Sequence, residues 1–407
     1  MDETSKAGRD KVIYLDHAAT TPVRPEVLDA MLPYFSERFG NPSTLYSVGA
    51  DAREAVDAAR GQVAELIGAK PDEIYFTSGG TESDNWAIRG VVVKSKGRQV
   101  VTSKIEHHAV LETCRDLERE GLDVTWLDVD EDGLVSADDV AAALGDETAL
   151  VSVMHGNNEV GTIEPIGAIT AACHARGVPV HTDAVQTVGK IPVEVAALGC
   201  DLLSLSAHKL YGPKGVGALY VRKGTRIAKF MHGGEQENRR RSGTLNVPGI
   251  VGLGRAAELA RLELESERPR LEGLRDRLID GIMATIPDAR LSGPRRERLP
   301  HNVHFCFKGI EGEGIILRLN HAGICAATGS ACTSSTLEAS HVLLAMGRPH
   351  ETAHGSLRLT LGRSTSEADV EKVLAVLPGV IGGLRAMSPL YAAGGDECDC
   401  AGGGCCK

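Results

Sequence analysis

Apolar positions along this chain alternate between two spacings. Ala52, Ala55, Val56, Ala59, Val63, Leu66 and Ile67 recur every three or four residues up to Gly68, which predicts an amphipathic helix. Ile74-Tyr75-Phe76-Thr77-Ser78 follows as a short strand run. The pattern repeats, with strands at Gln99–Ser103, Val124–Leu127, Leu150–Met154 and the stretch ending in Val180-His181-Thr182-Asp183. Between them the spacing predicts helices from Gly80 through Trp86 to about Val93, over Asp138–Leu144, with Ser136 and Asp139 as a capping pair, and over Ile166–Ala175. Leu202–Leu205 is an apolar run, read as a buried strand, and Val216–Val221 is a second strand after a loop rich in Gly and Pro. This βαβα alternation predicts the α/β class: a large domain with a mainly parallel, mixed sheet covered by helices on both faces.

The second part of the chain changes character. A long helix is expected over Gly249–Ile286, interrupted at Pro269. It leads to a smaller α+β domain with strands at Val303–Phe307, near Ile324 and at Ser356–Gly362, a helix over Gly314–Asn320, and a last helix over Ala368–Met387 capped by Ser366 or Thr365. Beyond Tyr391, Gly and Cys take over and regular structure is expected to stop. The expected organisation is an N-terminal segment 1–20 packing with the smaller domain, a large domain 21–262, a small domain 263–391 and a Cys-rich tail 392–407, without repeats or inserted domains.

Composition narrows the function classes. A chain of 407 residues can bury two cores, and 42% hydrophobic with 24% charged residues is ordinary for a globular protein. A formal net charge of -11 argues against a nucleic-acid or anionic-membrane partner held by electrostatics. Arg239-Arg240-Arg241 is therefore read as a local anion site or a solvated face. No apolar stretch reaches the length of a membrane span, and Met1–Lys11 lacks the apolar core of a secretory signal, so a cytoplasmic location is expected. Of the ten cysteines, Cys114, Cys173 and Cys306 sit in apolar periodic settings and are expected to be buried thiols. Cys332, amid Gly, Ser and Thr, is expected to be exposed, and Cys398, Cys400, Cys405 and Cys406 crowd the tail.

Open α/β sheets bind ligands outside the carboxyl ends of their strands. Ser78, His107, Asn158, Asp183 and Lys209 all fall at or just past such ends. Burial of an amine favours its neutral form, which can form a Schiff base with a carbonyl compound or with pyridoxal phosphate. A surface lysine after an edge strand is the commoner fate of any one lysine. Asp183 argues against it here, because it supplies a carboxylate where the cofactor ring would need one. Gly79-Gly80-Thr81, between a strand and a helix, exposes backbone N–H groups at the positive end of the helix dipole, which suits a phosphate.

Asp183-Ala184-Val185-Gln186, followed by Ser206-Ala207-His208-Lys209-Leu210-Tyr211-Gly212-Pro213-Lys214-Gly215, resembles the cofactor site of the NifS/IscS-type cysteine desulfurases. These are pyridoxal-phosphate enzymes of the aminotransferase-like fold, fold type I. Further matches are Tyr14-Leu15-Asp16 with Ala19-Thr20-Thr21-Pro22, the loop Phe39–Ser43, Ser78-Gly79-Gly80-Thr81-Glu82-Ser83, Arg241-Ser242-Gly243-Thr244 and Gly329-Ser330-Ala331-Cys332, the last typical of the long-loop group I branch. The resemblance spans about Tyr14–Leu390. The family more often has Ala at Gly80, a change expected to be harmless because the backbone does the binding.

The resemblance implies conversion of L-cysteine to L-alanine, with the sulfur left as a persulfide on Cys332. It implies that Lys209 holds the cofactor and shuttles a proton, that Asp183 keeps the ring nitrogen protonated, and that His107 stacks on the ring and assists proton transfer. Asn158 and Gln186 would contact the cofactor's substituents, and Asn158 the substrate too. Gly80, Thr81, Ser206, His208 and a second copy's Thr244 would hold the phosphate, so a homodimer with shared sites is implied. Arg358 would bind the substrate carboxylate, against the plainer reading of a structural ion pair. The implied partner is a sulfur acceptor or iron–sulfur scaffold protein. Two other readings are a related lyase, such as a selenocysteine lyase, and a non-catalytic metal- or sulfur-binding protein acting through its tail. The tail departs from the family pattern. Its cysteines are expected to receive sulfur from Cys332 or bind a soft metal, with a plain solvated end as the alternative.

Overall fold

The computed structural model describes residues 12–329 and 339–393. Strand β1 (Ile13–Tyr14) opens the chain. Seven strands then build the main sheet: β2 (Ile74–Thr77), β3 (Gln99–Ser103), β4 (Asp123–Leu127), β5 (Thr148–Ser152), β6 (Val180–Asp183), β7 (Leu202–Ser206) and β8 (Gly217–Val221). Their order across the sheet is β2-β8-β7-β6-β5-β3-β4. Neighbours from β7 to β4 pair in parallel, and only β8 runs against its neighbours. The reason is loop length. The segment Ala207–Val216 between β7 and β8 is too short for the crossover that a parallel pair requires, so the chain doubles back.

Both faces of the sheet are covered, so that its central strands are buried along their whole length. On one face Ala52, Val56, Ala59 and Val63 of the Ser47–Leu66 helix pack with Ile250, Leu253 and Ala257 against Val151, Val180 and Leu203. On the other, Trp86, Ile88, Val91, Cys114 and Leu117 cover Val100, Leu150, Leu202 and Leu219. Cys114, Cys173 and Cys306 are buried thiols.

After the small hairpin β9 (Glu235–Gln236) and β10 (Arg241–Ser242), one helix runs unbroken from Val247 to Thr285. The expected interruption at Pro269 is absent. Pro269 removes one helical hydrogen bond, but Glu265, Ser266, Arg268, Pro269 and Arg270 are exposed there, so water can satisfy the freed carbonyl. Arg270 also ties this turn to a distant strand end by donating to the carbonyls of Thr365 (2.7 Å) and Gly362 (3.1 Å). The first half of the helix packs on the main sheet. Its second half, Leu271–Ile282, belongs to a smaller core with Phe305, Phe307, Leu357, Leu359, Val373 and Leu377.

That smaller core is built on β11 (Ala289–Leu291), β12 (Asn302–Phe307) and β14 (Ser356–Thr360), an antiparallel sheet, with β13 (Ile324–Cys325) paired in parallel to β1. Leu15 is part of this core, so the N-terminal segment docks here. The Glu367–Arg385 helix starts with a capping box between Ser366 and Asp369. A short helix, Pro389–Ala393, continues past the point where regular structure was expected to stop. Among the described residues no helix is long and apolar enough to cross a membrane.

Candidate active site

Strand β7 ends at Ser206, and Ala207–Lys209 turns at once into a single 3-10 turn. This lifts Lys209 out of the sheet toward the loop after β1. Its Nζ donates to the carbonyls of Ala18 (2.5 Å) and Ala19 (2.9 Å). Gln186 Nε2 donates to the same Ala18 carbonyl at 3.0 Å. The amide and hydroxyl of Thr21 both donate to the His208 carbonyl, at 3.0 and 2.9 Å, and His208 Nδ1 lies 3.1 Å from the Thr20 hydroxyl. The Asp16–Thr21 loop is thus stitched across the end of β7.

Asp183 closes the adjacent strand β6 and is 5% exposed. Its Oδ1 accepts the Val185 N–H at 2.9 Å. Burial raises its pKa, while that N–H and the Lys209 charge hold it down. One ligand-type atom each of Asp84, His107 and Asp183 lie within 4.8 Å of one another. His107 caps the His108–Arg119 helix, and its Nδ1 accepts the Ala109 N–H at 3.1 Å. A neutral ring that accepts at Nδ1 carries its proton on Nε2. Burial, then the charge of Lys209, pushes the His107 pKa down to about 4, so the ring is neutral near pH 7.

The glycine turn lies beside these groups. Gly79 has φ 152° and ψ -176°, a conformation open only to glycine. Its neighbours are braced: Thr77 and Ser83 share a hydroxyl contact at 2.8 Å, and Glu82 accepts the Ser78 N–H at 2.7 Å and the Arg241 guanidinium at 2.8 Å. A Cβ on Gly79 would sit 3.8 Å from Ser206 Oγ, which shows how closely the turn approaches β7. A Cβ on Gly80 would lie 2.8 Å from Val185 Cγ2. Alanine at this position would require Val185 to shift in this chain. Thr81 is exposed and lines a shallow cleft with Asn85, His107 and His108.

On the other side, Arg358 of β14 is buried. It donates to Asp16 Oδ1 (2.8 Å) and to the Asn158 carbonyl (2.9 Å), while its Nε has no partner. The ion pair that the sequence allowed is present. Arg358 also pairs through its backbone with Ala327 (2.7 Å), close to where residues 330–338 begin. Cys332 lies outside the described residues, as do Cys398, Cys400, Cys405 and Cys406. Thr244 is exposed just after β10.

Sequence reasoning missed two acids. Asp84 falls in register with Ala87, Ile88 and Val91 on the buried stripe of the Gly80–Lys94 helix, and a carboxylate on such a stripe was the available signal. Glu106 is fully buried. Its Oε1 accepts from Ser103 Oγ (2.6 Å) and the Met154 N–H (3.0 Å), and burial pushes its pKa up to about 8.

Comparison with known proteins matches this arrangement. Residues 13–373 fit the aminotransferase class-V family. The chain is 54% identical over 383 residues to a cysteine desulfurase IscS of Methanosarcina thermophila, covering 94% of this chain and 95% of that protein. Among solved structures, a NifS-like protein superposes with a TM-score of 0.86 at 38% identity, covering 92% of this chain and 100% of that one. A structure described as SspA in complex with cysteine superposes with a TM-score of 0.76 at 37% identity, covering 86% and 98%. With a lysine, a buried carboxylate and a neutral imidazole gathered at the same strand ends, the chain belongs to the aminotransferase class-V family, among its cysteine desulfurases.

Proposed function

We propose that this chain converts L-cysteine to L-alanine with pyridoxal phosphate and leaves the sulfur as a persulfide on Cys332. The observation that carries the reading is the pairing of Lys209 and Asp183 at the ends of adjacent parallel strands, with the neutral ring of His107 against Asp183.

The residues present fit the cofactor. The Gly79–Gly80 turn presents amides at a helix N-terminus beside the Ser206 hydroxyl, which suits a dianionic phosphate. Asp183 offers a buried carboxylate for a protonated ring nitrogen. Bound there, pyridoxal phosphate supplies an electron sink for the electrons released at the substrate Cα. Gly80, Thr81, Ser206 and His208 would hold the phosphate, with Thr244 reaching in from a second copy. Asn158 and Gln186 would orient the ring substituents. Lys209 would carry the cofactor and move the proton at the substrate carbon, and His107, with its proton on Nε2, would stack on the ring and assist proton transfer.

Arg358 takes the substrate carboxylate, and Asn158 helps seat the substrate. The Cys332 thiolate attacks the substrate sulfur. The Cβ–S bond breaks, its electron pair goes to Cβ, and a proton completes the methyl group of alanine. The sulfur stays on Cys332 as S–SH, so atoms and electrons balance, and it passes to a sulfur acceptor or iron–sulfur scaffold protein.

A homodimer is supported by apolar side chains in one stretch of sequence: Leu32, Phe35, Phe39, Leu45 and Tyr46 are more than half exposed in a single chain. The reading places the protein in the cytoplasm, a reducing compartment. It divides the chain at 20, at 262 within the long helix, and at 391. The tail cysteines Cys398, Cys400, Cys405 and Cys406 remain candidates for sulfur relay or soft-metal binding.

Cys332→Ser tests the sulfur step. The variant should keep the visible absorbance of the lysine-bound cofactor and lose alanine and sulfide production, because a hydroxyl is a poor nucleophile toward sulfur. Near-native alanine release would remove Cys332 from the reaction, and a keto acid product would point to aminotransferase chemistry instead.

A further inference from the structure

Asp84 has no part in the chemistry described above, yet it is 1% exposed and brings a carboxylate oxygen within 4.8 Å of one of Asp183. Several elements face it. From β6 come Asp183 and His181; from β7, Ser204; from the start of the His108–Arg119 helix, His107, with Glu106 just before it. His181 cannot neutralise Asp84. Its ring is fully buried and burial pushes its pKa down to about 3, so it is neutral. Its nitrogens are occupied by Ser152 Oγ (2.9 Å) and Ser204 Oγ (3.0 Å), and Nε2 stands 3.5 Å from Asp84 Oδ1. Asp84 Oδ1 itself has no hydrogen-bond partner. Two ionised carboxylates so close in a buried place repel strongly, and such pairs hold one proton between them.

The surroundings decide which acid keeps the proton. Asp183 accepts a backbone N–H and feels the Lys209 charge, and both favour its ionised form. Asp84 has neither; burial and the Asp183 charge push its pKa upward and outweigh the Ser204 hydroxyl hydrogen bond, which lowers it. We propose that Asp84 is the proton-bearing partner of Asp183, a neutral carboxylic acid that donates to the Asp183 carboxylate and keeps a single negative charge under the cofactor's ring nitrogen. It is a positioning residue, and this role rests on the reading of Asp183 given above.

Asp84→Asn and Asp84→Leu, each as holoenzyme, test the assignment. Asparagine keeps a neutral donor, so cofactor affinity and turnover should stay close to native. Its infrared spectrum at neutral pH should lose one carboxylic-acid C=O band relative to native, while bands from Glu106 and Glu164 remain. The native cofactor band should also respond to the ionisation of Asp84 as pH is raised, and the Asn variant should lack that response. Leucine removes the donor, and cofactor affinity should fall about 10- to 100-fold, the scale of a hydrogen bond to a charged group, with folding confirmed by circular dichroism. An unchanged infrared spectrum in the Asn variant means that Asp84 is ionised, and native affinity in the Leu variant means that its donor does nothing; either overturns the proposal. Asp183→Asn is the separate control. Native cofactor affinity there would sink the reading of Asp183, while the infrared comparison of native protein with Asp84→Asn still reports the proton on Asp84.

Discussion

The ends of β6 and β7 and the buried face of β14 meet at the Asp16–Thr21 loop, and they hold their charges by different means. At the strand ends the ionisable groups are crowded together: Asp84, Asp183, Glu106 and His107 share one interior, and burial drives most of them toward their neutral forms. On β14, Arg358 is matched by direct partners, with the Asp16 carboxylate on one side and the Asn158 carbonyl on the other. The first arrangement is fixed by strands and helix termini before any ligand arrives, which suits a cofactor that must be held in one orientation. The second is an ion pair whose carboxylate half is 18% exposed, a place where another carboxylate can compete. The loop joins the two, because Asp16 holds Arg358 while Ala18 and Ala19 hold Lys209.

The hardest way to break the strand-end side is Lys209→Ala. Turnover and the visible absorbance of the lysine-bound cofactor should both vanish, with the fold retained, since Lys209 lies beyond the strand rather than within the core. Borohydride reduction of the native holoenzyme followed by peptide mapping should place the label on Lys209. Label on Lys190 or any other lysine would transfer the role.

The β14 side should fail differently. Arg358→Ala should raise KM for cysteine and leave the cofactor spectrum intact. Losing a desolvated charge pair with a carboxylate costs about 2–5 kcal/mol, roughly 30-fold or more in kcat/KM. Arg358→Lys should recover part of this, because the charge returns without the two-pronged geometry. Thermal melting is needed alongside, since either change leaves Asp16 with a weaker partner. An unchanged KM in the alanine variant would leave Arg358 with only its ion pair to Asp16.

Much of the strand-end side was legible in the sequence, for a physical reason. Ser206, His208 and Lys209 come at the end of the Leu202–Leu205 run and Asp183 at the end of the Val180–Asp183 strand pattern, so their place at a strand end follows from local pattern. The Gly79–Gly80 turn is likewise local. The Asp16–Arg358 pair joins residues 342 positions apart and depends on the parallel pairing of β1 with β13, which no local pattern announces. Lys209's hold on Ala18 and Ala19 is hidden in the same way. Pro269 misled because proline inside a buried helix is costly, and only packing reveals that this turn faces solvent. The crowding at Gly80 depends on Val185, across the site.

The smallest effect should be on stability, and it separates the two sides by pH. Burial holds His17, His181 and His304 down to about 3 and His107 and His155 down to about 4. The unfolded chain protonates these rings near 6.5. Between about pH 4 and 6.5 it therefore binds protons that the native state refuses, and stability rises with pH. Burial holds Glu106 and Glu164 up to about 8. Above pH 4.5 the unfolded state releases protons that the native state keeps, so these two lower stability as pH rises, until about 8. With His208 held down to about 4 and His108 and His301 also lowered, the rings outweigh the raised carboxyls Glu106, Glu164, Asp84 and Asp183 up to pH 6.5, and above it the carboxyls dominate. The melting temperature should therefore peak near pH 6.5 and fall by about 1–3 °C per pH unit on the alkaline side. Glu164→Gln should flatten the alkaline limb, because Gln has no proton to lose and still offers an oxygen to the Val135 N–H that Glu164 accepts at 2.8 Å. Calorimetry of the holoenzyme from pH 5 to 8 makes the measurement. A melting temperature that climbs steadily to pH 8 would mean that Glu106 and Glu164 are ionised in the folded protein, and that the interior behind Asp183 tolerates charge as readily as β14 does.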